Sequence, residues 1–139
     1  VKSDHRWPEH FYGNFKGDLN SGAGVDVKVP WELSRCHHLV VLAQAWYLTR
    51  QEQFATECFA QWESWLTDNP WGYGVNWAST MEVAIRAVNW LWAFGLLAGA
   101  PGWSPVRRTK LARSLGRHGR HIEHNLEVGM RNGKVVVGE

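Results

Sequence analysis

Several features that would point to a particular class of protein are scarce or missing in this 139-residue chain. There are two cysteines, Cys36 and Cys58, and no Cys-x-x-Cys pair, so we expect two small apolar residues and no disulfide. No apolar run is long enough to span a membrane, and no secretory-signal or lipidation pattern occurs in the sequence. Phosphate-binding glycine loops and the GxSxG elbow are also absent, so nucleotide-binding and serine-hydrolase functions have no support.

Acidic residues are missing from a long internal stretch. Between Val83 and Ile122 there is no Asp or Glu, whereas seven Arg and Lys residues occur there. The net charge of the whole chain is only +2, so the basic character is concentrated in one part of the sequence. We expect one half of the molecule to attract an anion. No nucleic-acid-binding motif accompanies these residues, so we expect neither nucleic acid nor a membrane as the partner.

Strand patterns are lacking before Val135, and helical patterns dominate. The apolar spacing and the breaker residues predict four helices: Trp31–Thr49, Glu52–Leu66, one from near Ser79 to about Gly95, and one from Pro105 to about Glu127. The linkers between them are short enough for antiparallel neighbours. The predicted class is all-α, with an irregular lead-in at 1–29, a helical body at 30–129 and a divergent tail at 130–139.

Tryptophan is abundant, with ten residues in the chain. Leu and Ile fill a core without needing a hydrogen-bond partner, whereas Trp adds a flat face and an N–H donor. We expect about half of the tryptophans to serve packing. The flat faces of the others suit sugar rings, nucleobases or aromatic ligands.

The third predicted helix combines an apolar body with polar groups on one side. Ser79, Glu82, Arg86 and Asn89 lie within about 80° of one another around its axis. Ser79 and Glu82 match a capping box, and Glu82 and Arg86 have the spacing of an i,i+4 ion pair. Two interpretations stay open at this point. The pair either pins two helices together or forms the wall of a groove in which Arg86 meets an anionic ligand.

Two residues before this helix belong to the same hypothesis. Asn76 and Trp77 would lie at the mouth of the groove, where the indole could stack on a ring. On the first helix, Glu32, Arg35 and His38 share one broad side near its amino end, and His38 is a candidate base or ligand.

The histidines of the last helix do not predict a metal site. His118, His121 and His124 follow one another at intervals of three, which spreads them over about 240° of the helix. They cannot all reach one ion, and no HExxH motif is present. We expect no metal and no cofactor.

Three blocks of sequence together resemble one known family. They are VPWELSR at 29–35 with His38 following, a middle block from NP at 69–70 through GYGVNWAS at 72–79 to MEVAIRAVNW at 81–90, and HGRHIEHNLE at 118–127. They are similar to the N-terminal helical domain of the heparinase II/III-like polysaccharide lyases, which include heparan sulfate and alginate lyases. The resemblance covers residues 25–127.

The resemblance implies an incomplete (α/α) toroid, followed in full-length relatives by a β-sandwich. It implies cleavage of a uronate-containing acidic polysaccharide by β-elimination, in which positive or hydrogen-bonding groups stabilise the developing charge. For bacterial relatives it implies a periplasmic or secreted location, whereas the location of this chain stays open. The implied substrate-binding residues are Arg35, His38, Asn76, Trp77, Glu82, Arg86, Asn89 and His124.

The sequence departs from the family pattern at 130–134, where it reads MRNGK. Relatives have an Asn-His segment there, whose Asn neutralises the uronate carboxylate. Asn132 is a candidate for that position, but no His follows it. The catalytic Tyr and a later His of the family lie in parts that this sequence lacks. We therefore expect a truncated fragment that is inactive alone and that self-associates through exposed apolar helix faces.

Two other functions remain as alternatives. One is a non-catalytic helical module that binds acidic carbohydrate. The other is a glycoside hydrolase-like toroid, which needs two opposed carboxylates, for which Glu32 and Glu82 are the candidates.

Overall fold

A computed structural model describes residues 27–126. They form five α-helices and one 3-10 turn, and no β-strand occurs within this range. The helices are α1 Lys28–Ser34, α2 His37–Thr49, α3 Glu52–Asp68, α4 Thr80–Leu96 and α5 Pro105–His124, and the 3-10 turn is Val75–Trp77. The predicted all-α class is confirmed. The lead-in at 1–26, the tail at 127–139 and Asn132 lie outside the described residues.

The first predicted helix is two helices, which corrects the prediction of a continuous Trp31–Thr49. The chain breaks at Cys36, whose φ of 60° lies in the left-handed region. The backbone N–H of Cys36 donates to the carbonyl of Leu33 at 3.2 Å and closes α1. The Cys36 side chain is buried in the core, so packing holds a conformation that favours Gly or Asn. The break places Arg35 at the end of α1.

The other helix ends are close to the predictions, with one difference in how α4 begins. Ser104 caps α5 as predicted, since its Oγ accepts from the backbone N–H of Arg107 at 3.1 Å. Ser79 occupies the N-cap of α4, but its side chain makes no capping hydrogen bond. The predicted capping box is therefore absent, because Glu82 is engaged elsewhere. The helix α5 ends at His124, three residues earlier than predicted.

The core is aromatic and lies between α2, α3 and α4. Trp62 and Trp90 are completely buried, and Phe94 contacts Trp62 edge to face with 4.8 Å between ring centroids. Cys36 and Cys58 are free thiols within this core, as predicted. Burial raises the pKa of Cys58 to about 12. Of the nine tryptophans at 27–126, only Trp71 and Trp92 are exposed, so packing uses more of them than predicted.

The helix α5 runs antiparallel to α4. At one end the Oγ of Thr80 donates to the carbonyl of Asn125 at 3.0 Å, and at the other end the indole N–H of Trp103 donates to the carbonyl of Leu97 at 2.6 Å. This packing brings the inner face of α5 against the start of α4 and the 3-10 turn. The toroid stays a prediction from the resemblance. Among the described helices, none has the length and hydropathy of a membrane span.

Candidate functional site

An ion pair joins the end of α1 to the first turn of α4. Arg35 donates from Nε and Nη2 to the two carboxylate oxygens of Glu82, at 2.7 and 2.8 Å. The Arg35 side chain is 28% exposed and that of Glu82 is 2% exposed. Hydrogen bonding to Glu82 raises the pKa of Arg35. The predicted Glu82–Arg86 pair is therefore wrong, because the bidentate contact from α1 occupies both oxygens of the carboxylate.

Arg86 lies one turn further along α4 and is completely buried. Its guanidinium is 4.4 Å from the ring centroid of Trp65 and 5.2 Å from that of Trp77. It donates to Nε2 of His118 at 3.0 Å and to the carbonyls of Asn76 and Ser34 at 3.1 and 3.4 Å. These acceptors are all neutral. Within residues 27–126, no carboxylate forms an ion pair with Arg86.

The charge state of Arg86 follows from these contacts. Burial lowers its pKa to about 10, which still leaves it protonated at neutral pH. Arg35, Arg86 and Glu82 together have two positive charges and one negative charge, so this buried cluster has a net charge of +1. A charge in a poorly hydrated site produces a field that extends to the nearby surface.

His118 is a member of the cluster that the sequence predictions missed. Its Nδ1 donates to the carbonyl of Ser114 at 2.8 Å, which leaves Nε2 as the acceptor for Arg86. Burial, and then the charge of Arg86, lower the pKa of His118 to about 3, so the ring is neutral. Its position could have been predicted, since it follows Leu111 and Leu115 at the spacing of the apolar face of α5.

Asn76 and Trp77 are close to Arg86, but they are buried under the surface. Trp77 is 2% exposed, and its ring is covered by Arg86 and by His118, whose centroid is 4.8 Å away. The predicted stacking of a sugar on this indole is therefore wrong in this conformation. The side-chain amide of Asn76 donates to Oδ1 of Asn69 at 2.7 Å. Both residues support the cluster from within.

Asn89 connects the cluster to the surface beside α2. Its Nδ2 donates to the carbonyl of Arg35 at 2.7 Å and lies 3.2 Å from Nδ1 of His37. His38, the residue named by the sequence prediction, is exposed, and it is the neighbouring His37 that reaches Asn89. The accessible edge of the cluster therefore consists of Arg35, His37 and Asn89.

His124 lies at the end of α5 and, within the described residues, forms no hydrogen bond with the side chains of Arg35, Glu82 or Arg86. It is exposed, and its Nδ1 donates to the carbonyl of Arg120 at 2.7 Å. His118 and His121 are both buried instead, so the three histidines of α5 face different surroundings. No group of three potential metal ligands occurs in the part of the chain that the structure describes.

The fold and the site together define an all-α domain whose helices meet at a buried cationic cluster. The chain belongs to the family described as the heparinase II/III N-terminus, whose family model matches residues 5–134. This confirms the family predicted from the sequence blocks and makes the chain a polysaccharide lyase-related domain. No curated protein and no solved structure matches the chain.

Proposed function

We propose that this chain is the substrate-binding helical part of a lyase that cleaves uronate-containing acidic polysaccharide, of the heparan sulfate or alginate type, by β-elimination. Membership of this family supports a polysaccharide as the substrate. The observation that supports an acidic one is the protonated, completely buried Arg86, which has only neutral acceptors among residues 27–126. A completely buried charge that forms no direct ion pair is costly for stability. This destabilising charge is explained if its role is to attract an anion.

The proposal gives the cluster a binding role in the reaction. β-Elimination needs the uronate carboxylate neutralised, a base for the C5 proton and an acid for the leaving oxygen. In the proposal, Arg35 and Asn89 contact the sugar chain at the accessible edge, and Arg86 and Glu82 set the charge behind them. His38 and His124 are surface residues that extend this binding region. Asn132, outside the described residues, is the candidate for neutralising the carboxylate.

We do not assign the base to the buried histidines. His118 uses both ring nitrogens within the fold, one to Ser114 and one to Arg86. The pKa of His121 is lowered to about 4 by burial and by Arg86, so it is a weak base. We therefore propose that the chain binds the polymer and does not cleave it alone.

The glycoside hydrolase alternative is less favourable. It requires two carboxyl groups that face each other across a sugar, one of them free to give a proton. Glu82 accepts two hydrogen bonds from Arg35 and is almost completely buried, so it is not available as an acid. A non-catalytic carbohydrate-binding module stays the second candidate, because the cluster supports binding in either case.

The test is a calorimetric titration of the chain with alginate and heparan sulfate oligosaccharides, with neutral dextran as the control polymer. We expect binding of an acidic oligosaccharide that weakens with added salt, because surface charge interactions are screened. The absorbance of unsaturated uronate should not rise during the titration. Absence of binding to every acidic polymer would contradict the proposal, and a rise in that absorbance would contradict the binding-only role.

The role of the buried charge is tested with a matched pair of variants. Arg86→Met removes the charge at similar size, and Arg86→Lys keeps it but loses the forked donor geometry. If the charge of Arg86 contributes to binding, Arg86→Met weakens binding several-fold more than Arg86→Lys does. Circular dichroism is used first to show that both variants are folded. Equal affinities for the two folded variants would show that the charge of Arg86 plays no part.

A further inference from the structure

An open groove lies between the carboxyl end of α3, the loop that follows it, and α5. Its volume is about 340 Å³, at the small end of the range of roughly 300–1,000 Å³ for small-molecule sites. Trp71, Lys110, Arg113 and Arg117 contribute to its sides, and Trp77 and His118 form its floor. None of the first four was among the predicted substrate-binding residues.

The charge of this groove is positive and largely uncompensated. Among residues 27–126, Glu63 is the one acidic residue that lines the groove, and it pairs with Arg107 at 3.1 Å and with Lys110 at 3.5 Å. Within residues 27–126, Arg113 and Arg117 form no ion pair. They are four residues apart on α5, so both guanidinium groups lie on the same face of the helix.

The groove also has an aromatic surface that is open to solvent. Trp71 is 46% exposed, and the guanidinium of Arg117 lies 5.7 Å from its ring centroid. Arg117 lies over one face of the indole, and the remaining exposed surface of Trp71 suits a ring that bears an acidic group. The ring can lie on the indole while its carboxylate or sulfate meets the arginine.

The buried cluster lies directly behind the floor of the groove. Arg86 contacts both floor residues, with 3.0 Å between its Nε and Nε2 of His118 and 5.2 Å to the ring of Trp77. The net positive charge of the cluster therefore adds to that of Arg113 and Arg117 at the same place. Two independent sets of cations favour an anion in this groove.

We propose that the groove between α3 and α5 is a binding subsite for one acidic sugar unit. Trp71 provides the platform for the ring, and Arg113 and Arg117 bind its carboxylate or sulfate. The class of ligand rests on the proposed function, whereas the location of the subsite rests on the groove itself. Single-stranded nucleic acid fits less well, because its binding sites use successive aromatic platforms and the described residues give this groove one exposed aromatic side chain.

The experiment measures the affinity of the chain for alginate and heparin oligosaccharides by calorimetry. The test variants are Trp71→Ala and the double variant Arg113→Gln/Arg117→Gln. Each is compared with a control that makes the same type of substitution outside the groove, with one arginine replaced in the control of the double variant. Trp92→Ala removes the other tryptophan that is exposed among residues 27–126, on α4, and Arg120→Gln removes an exposed cation of α5.

We expect about tenfold weaker binding for each arginine lost and several-fold weaker binding for Trp71→Ala, since charged hydrogen bonds and aromatic contacts are lost. The controls should stay within about twofold of the parent chain, because they remove one general charge or one distant aromatic. Tighter binding of heparin than of alginate would identify sulfate as the preferred group, and the reverse would identify carboxylate. Either order supports the subsite.

Three outcomes would overturn the subsite. One is normal oligosaccharide binding by the test variants, which would leave the proposed function intact. Another is an equal loss in Arg120→Gln and Trp92→Ala, which would indicate general charge attraction or unfolding. The third is tighter binding of a single-stranded DNA of equal charge. If the parent chain binds no acidic oligosaccharide, the proposed function fails first and this subsite fails with it.

Discussion

At the scale of single residues, the two arginines of the cluster differ in how their charge is balanced. Arg35 reaches a carboxylate and keeps contact with solvent, whereas Arg86, among residues 27–126, donates only to neutral acceptors and packs against aromatic faces. Removing one partner of a buried ion pair leaves an unpaired charge, which costs more than the pair itself contributes. The two positions should therefore respond differently to substitution.

Arg35→Met should destabilise the chain by about 3 kcal/mol, because it leaves the almost buried Glu82 without a partner. Glu82→Gln should cost less, since its amide oxygen still accepts a hydrogen bond from Arg35. The double variant Arg35→Met/Glu82→Leu should recover part of the loss, because no orphan charge remains. Urea unfolding at pH 7 measures all three. A double variant that is no more stable than Arg35→Met alone would contradict this account.

His118 should make the stability depend on pH. Its folded-state pKa of about 3 lies below the value of about 6.5 in an unfolded chain. Below pH 6.5 the unfolded chain binds a proton that the folded chain does not. The contribution of His118 to the free energy of unfolding is thus fully present above pH 6.5. It falls on acidification toward pH 3 by about 1.4 kcal/mol per pH unit. Urea midpoints at pH 7, 6 and 5 measure the slope.

Two variants separate this effect from other titrating groups. His118→Gln cannot take up the proton, so its stability should change less steeply between pH 7 and 5, although the variant is less stable overall. His124→Gln replaces an exposed histidine and should keep the slope of the parent chain. Parallel pH profiles for His118→Gln and the parent chain would rule out His118 as the source.

At the scale of the helices, similar local sequences have different outcomes. Ser79 and Ser104 both precede a helix, but only Ser104 caps it with its side chain. In α4, the capping box does not form because Glu82, at the third helical position, binds Arg35 instead. The break between α1 and α2 likewise depends on the burial of Cys36 and not on a breaker residue.

The caps give a direct comparison between two serines. Ser104→Ala should cost about 1 kcal/mol, since the backbone N–H of Arg107 loses its acceptor. Ser79→Ala should change the stability by less than about 0.5 kcal/mol, because no capping bond is lost. Denaturant midpoints of the two variants give the result. Equal losses would show that Ser79 caps α4 in solution.

At the scale of the whole molecule, two surfaces of different character are present. The groove between α3 and α5 is basic, and Trp71 is its exposed aromatic residue within the described part of the chain. The outer face of α4 is apolar, with Val88, Leu91 and Trp92 all exposed, and Trp92 is 64% exposed. Exposed apolar patches promote association, so the second surface bears on the predicted self-association.

The chain should self-associate through this face of α4. We expect the average sedimentation coefficient to rise with protein concentration for the parent chain. Leu91→Lys/Trp92→Lys should stay monomeric over the same range, because charge replaces the apolar contact. The control Val106→Lys changes an exposed apolar residue at the start of α5 and should behave as the parent chain does. A parent chain that stays monomeric at all concentrations would contradict the prediction.

The sequence by itself determined the all-α class, the start of α5 and the common side of α4 on which Glu82, Arg86 and Asn89 lie. Helical periodicity and caps are properties of residues within a few positions of one another, so they can be read from the chain. The family blocks added the polysaccharide lyase relationship.

The tertiary structure alone decided which of these groups pair and which reach the surface. Glu82 and Arg86 have the spacing of a surface pair worth about 0.3–0.5 kcal/mol, and this weak preference yields to a bidentate contact with Arg35, 47 residues away. The packing of the helices also decides that Trp77 is covered and that Trp71 is exposed. Burial and long-range pairing depend on how the helices pack. No local sequence pattern determines which distant side chain comes into contact with a given residue.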